Sequence, residues 1–88
     1  QVKVLQLITA LGRIGAKASV AVPRLIVVLQ HRDQDTRGAA CQALGRIGSD
    51  TFGVAAALEK VARTDTVDFV RRAAKRAHVT IRQKSAEH

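Results

Sequence analysis

Apolar side chains recur along this chain at spacings of three and four, the period of helices that bury one face. Val4, Leu7, Ile8, Leu11 and Ile14, with Leu5 widening the stripe, predict a first helix over 2–14. Gly15 is placed to end it in the left-handed conformation, where a side chain is costly. Gly12, a turn earlier, leaves room for another backbone to approach. Val22, Leu25, Ile26 and Leu29 predict a second helix over about 20–31. Pro23 suits its first turn, where the missing N–H has no partner to lose.

The wholly polar stretch 32–36 then forms a turn, and Asp33 is placed to cap the next helix. Ala40, Ala43, Leu44 and Ile47 give that third helix, over about 34–47, closed by Gly48. Ser49, Asp50 and Thr51 offer another cap. Val54, Ala57, Leu58 and Val61 mark a fourth helix over about 52–63. Residues 65–68 make a further capping region, with Asp68 favourable at the positive end of the helix dipole. A fifth helix over about 67–82 turns Val70, Ala73, Ala74, Ala77 and Ile81 inward. The polar tail from Lys84 is expected to fray.

The pattern repeats. Leu-Gly-Arg-Ile-Gly stands at 11–15 and again at 44–48, and a shift of 34 lays residues 36–40 on 70–74. Periods of this size mark stacked helical hairpins. The chain therefore divides, as one domain over 1–88, into repeat 1 (about 1–32), repeat 2 (about 33–65), a partial repeat 3 (about 66–83) and the tail 84–88.

The residues carrying the period are Arg37, Ala39 and Ala40 running into Ala43-Leu44-Gly45-Arg46-Ile47-Gly48. With them go Ile14-Gly15 followed by Ala18, then Ala21-Val22-Pro23 and Leu25, and later Val70-Arg71 with Ala73-Ala74. They resemble the HEAT repeats, in particular the short HEAT-like class of phycobilisome-lyase-type proteins. The resemblance implies an all-α fold, a right-handed α-α superhelix of about five helices forming two and a half hairpins. It also implies that the second helix of each pair lines a concave, partner-binding face. Its exposed positions are Arg24, Val27, Gln30 and His31, then Glu59, Lys60 and Arg63. Aspartate–arginine pairs between neighbouring repeats are a further implication, so Asp33 with Arg37 or Arg71 is expected to form such a ladder.

Departures from the pattern are Val4 in the place of Arg37 and Arg71, Ala56 in that of Pro23, and His78 in that of Leu44. The third repeat has a first helix and no second. Terminal units of a solenoid need a polar cap. Helix 67–82 supplies that cap, or further repeats cover the open end, or a second copy of the chain does.

Composition narrows the chemistry. The apolar fraction is 47% with aromatics at only 2%, so the core is built from Ala, Val, Leu and Ile, which suits close-packed helices better than a sheet sandwich. One cysteine excludes an intramolecular disulfide, and nothing requires an oxidising compartment. No apolar run approaches the roughly 18–20 residues that span a bilayer. The chain reads as soluble, cytoplasmic and without a membrane partner.

Cys41, mid-helix beside two alanines, reads as a packing residue. His31 and His78 lack metal-ligand spacing around it, so no metal or cofactor is expected. Asp33, Asp35, Asp50, Asp65 and Asp68 all fall at helix starts, where capping explains them without catalysis. The two glycine-bearing pentapeptides close helices and lack a phosphate-loop lysine, so they are not nucleotide sites. The net charge of +8 favours anionic partners. It is concentrated in Arg71, Arg72, Lys75, Arg76, Arg82 and Lys84, an anion-binding candidate on one helix.

The chain is thus expected to be a non-catalytic scaffold with a protein partner. Phosphate-led nucleic-acid binding through the basic helix is the alternative, followed by an accessory role beside a bilin-lyase-type enzyme. With two aromatics in the chain, any nucleic-acid binding lacks a stacking platform.

Overall fold

The computed structural model describes residues 21–48 and 53–86. Among the described residues there are four helices and no strand: α1 (Val22–Val28), α2 (Gln34–Ile47), α3 (Val54–Thr64) and α4 (Asp68–Ala86). The helix expected over 2–14, together with the Ser49–Thr51 cap, lies outside the described residues. Four of the five expected helices are therefore in view.

Helix α1 is shorter than the spacing suggests, with Pro23 in its first turn. Its C-terminal end tightens: Gln30 N donates to Val27 O and His31 N to Val28 O, at 3.0 and 2.9 Å. These i→i−3 bonds satisfy carbonyls that a helix end leaves open.

Helix α2 has chemical stops at both ends. The Asp33 carboxylate accepts from Thr36 N at 2.9 Å and from Thr36 Oγ1 at 2.6 Å. At the other end Gly48 takes φ +71° and its N–H donates to Leu44 O. Helix α3 begins later than expected, after Gly53 at φ +75°, which makes no side-chain cap bond.

Helix α4 runs to Ala86, beyond the end at 82 that the polar tail suggests. The Lys84 side chain lies across Gly48, where an added β-carbon would meet its Cδ and Nζ at 2.7 Å. That places an ammonium beside the C-terminal end of α2, the negative pole of its dipole.

Helices α2 and α4, first helices of successive repeats, lie side by side; α3 packs against α4, and α1 mainly against α2. Gly45 permits the first of these packings, because a β-carbon there would stand 3.1 Å from the Cα and Cβ of Ala77. This is the close approach that the sequence suggests for Gly12, one repeat earlier. One core joins Val22 and Leu25 to Leu44 and Ile47, then to Val54, Leu58, Val70, Ala74 and Ile81, all buried. Ile26, Ala57 and Ala73 are only partly buried at its margin.

Candidate functional site

The turns between hairpins fix the surfaces on either side. Arg37, in the first turn of α2, donates from Nε and Nη2 to the two carboxylate oxygens of Asp65, at 2.8 and 3.1 Å. Its Nη1 donates to the carbonyls of His31 and Arg32, at 2.9 and 3.1 Å. The pair is largely shielded, with side-chain exposures of 14% and 8%. Burial alone would raise the Asp65 pKa. The Arg37 hydrogen bonds, the Val67 N–H and the nearby charges of Arg37 and Arg71 outweigh it and hold the pKa below the ordinary value.

The buried aspartate–arginine pair is therefore Arg37 with Asp65, which ties the start of the α2–α3 hairpin to its end, and not Asp33 with Arg37 or Arg71. Asp33 faces its own helix, and the two Thr36 hydrogen bonds lower its pKa. Arg71 donates to Asp65 O at 2.7 Å and to Asp68 Oδ1 at 3.1 Å. These contacts hold it at the turn, and it does not line the groove between α2 and α4.

On one side of this junction a groove of about 510 Å³ runs between α1 and α3. Ile26, Leu29, Ala57 and Val61 give it apolar walls, while Gln30, His31, Lys60 and Arg37–Asp65 make its polar lining. Of the seven residues expected on the concave face, Gln30, His31 and Lys60 line the groove. Arg24, Val27, Glu59 and Arg63 are exposed outside it, Val27 at 71%. His31 is half-buried and its Nδ1 accepts from Asp33 N at 3.0 Å. Glu59 lies 4.0 Å from both Arg63 and His78.

A second groove, about 610 Å³, lies between α2 and α4. Arg72, Arg76 and Lys84 enter it from α4, and Gln42 and Arg46 from α2. Lys75 and Arg82 are exposed but do not line it. The basic helix thus splits its charges, and part of the set meets an arginine that sequence reasoning leaves out. A signal for it exists: Gln42 and Arg46 lie one 34-residue period before Arg76 and Thr80, and all four line the groove.

Cys41 is buried at the centre of α2. Burial, followed by the negative charge of Asp65, pushes its thiol up to about 12. The neutral thiol is a poor nucleophile and a poor metal ligand.

Among the described residues no helix is long and apolar enough to cross a membrane. A family model for HEAT repeats matches residues 3–78, while no curated protein and no solved structure matches the chain. The match is to HEAT repeats as a class, and the phycobilisome-lyase-type likeness remains a resemblance. With hairpins stacked at the observed period and a family match over most of its length, the chain belongs to the HEAT-repeat family.

Proposed function

We propose that this chain is a scaffold that binds a protein partner along its α1/α3 side and carries out no reaction of its own. HEAT repeats commonly mediate protein–protein interaction. The observation supporting this side is its groove, in which apolar walls stand over a polar junction held by the bidentate Arg37–Asp65 pair. A surface whose groups are already fixed loses less freedom when a partner docks. Around the groove, Arg24, Lys60 and Arg63 outnumber Glu59, so the partner presents a weakly acidic, partly apolar segment.

Affinity capture with the chain, followed by titration of the captured partner, tests this reading. Charge reversal at Arg24, Lys60 and Arg63 together should weaken the complex by about tenfold or more. Undiminished affinity would move the interface elsewhere. The absence of catalysis is tested separately, by hydrolase-substrate panels with the pure chain, where a turnover that survives repurification would end that part of the proposal.

A further inference from the structure

The α2/α4 groove has a chemistry different from that of the α1/α3 side. Arg46 comes from one repeat and Arg72 and Arg76 from the next, so the site exists only once two first helices pack. All three are exposed, and among the described residues neither Arg46 nor Arg76 has an acidic partner. Arg72 lies 3.4 Å from Asp68, an exposed contact that solvent and salt weaken. Between the arginines the lining is small, Gly45, Ala73 and Ala77, and leaves the three guanidinium groups as its main chemistry.

From this arrangement we infer that the α2/α4 groove binds the phosphate backbone of a nucleic-acid duplex. Guanidinium groups match phosphate oxygens in a two-pronged geometry. Arg72 and Arg76 are one helical turn apart, a rise of about 6 Å, comparable to the separation of neighbouring phosphates along a strand. Arg46 reaches the same groove from the facing helix. A duplex is favoured over a single strand because, among the described residues, Phe69 is the only aromatic lining the groove, and it packs over Gly38. Stacking on successive bases therefore has no platform. Binding is led by charge, indifferent to sequence and sensitive to salt. This site is separate from the α1/α3 side and stands or falls independently of the protein-partner reading.

The test is a titration of the full chain with a fluorescent 20-base-pair DNA duplex over a range of salt concentrations. The triple variant R46Q/R72Q/R76Q, whose three positions are exposed, should flatten the slope of log affinity against log salt by about 2.7. R24Q/K60Q/R63Q, on the other side, should leave the slope unchanged. D68N should tighten binding by releasing Arg72. No binding by the parent chain at low salt would overturn the inference, as would an unaltered slope in the groove variant or an equal loss in the control. Displacement of the duplex by an equally charged polyglutamate at the same concentration would assign the groove to acidic proteins instead, and would also overturn it.

Discussion

The turn at 31–33 and the turn at 65–67 solve one backbone problem with different residues. In each, the first side chain accepts from the third N–H: His31 Nδ1 from Asp33 N at 3.0 Å, Asp65 Oδ1 from Val67 N at 2.9 Å. In each, an arginine six residues on donates to the first carbonyl, Arg37 to His31 O at 2.9 Å and Arg71 to Asp65 O at 2.7 Å. The difference is reach. Asp65 has a second oxygen and a charge left over, and both engage Arg37 at the other end of its own hairpin, beside the first turn. His31 offers its turn a local acceptor. The second turn is therefore tied through Arg37 to the first, as well as reversing the chain.

The largest effect should come from cutting that link. Arg37→Ala leaves a shielded carboxylate without its main partner, and losses of about 3 kcal/mol are typical of such broken pairs. Urea denaturation should show the lower midpoint with little change in slope. Asp65→Ala should cost a similar amount, and the double variant much less than the sum. Additive losses would show that the two side chains act separately and that the turns differ less than their geometry suggests.

Acid should dissolve the same contrast. The Asp65 pKa is lowered in the folded chain, so its contribution is complete above the ordinary carboxylate value, 3.8. It is lost as pH falls through the folded value, because the unfolded chain takes up the proton first. Asp33 has the same sign. Asp65→Asn should be less stable at neutral pH and show a shallower decline below about pH 4. A decline as steep as that of the parent chain would place the acid sensitivity elsewhere.

Legibility in the sequence obeys the same division between local and distant partners. The α2 limits, Gln34 and Ile47, agree with the spacing because both stops are nearby: the Asp33–Thr36 cap and Gly48. The α4 end does not, because Lys84 is held against Gly48, 36 positions away in the chain. Asp33 and Asp65 look alike in sequence, each shortly before a helix. Only packing decides which of them reaches an arginine far away in the chain. The period places Gln42 beside Arg76 and Arg46 beside Thr80, but a charge count along one helix cannot show a groove made by two. Removing the local cap with Asp33→Ala should cost about a third of the Arg37 effect, visible as a lower thermal midpoint. A loss equal to that of Arg37→Ala would make Asp33 a junction residue after all.

The smallest effect belongs to His31. Its Nδ1 contact holds two residues of one turn, and a single hydrogen bond of this kind contributes about 0.5 kcal/mol. Arg37 keeps the His31 carbonyl whatever side chain stands there, so His31→Ala should lower the urea midpoint only slightly. His31→Asp is the sharper variant, since it gives the first turn the residue that serves the second. Aspartate can accept from Asp33 N as Asp65 accepts from Val67 N, and Arg37 would then face two carboxylates, one on each side. If pairing between the two turns through Arg37 is what distinguishes them, His31→Asp should restore what His31→Ala loses and leave the coupling of Arg37 to Asp65 intact. A fall in that coupling would mean the two turns compete for one arginine, and that histidine at 31 keeps the junction in register.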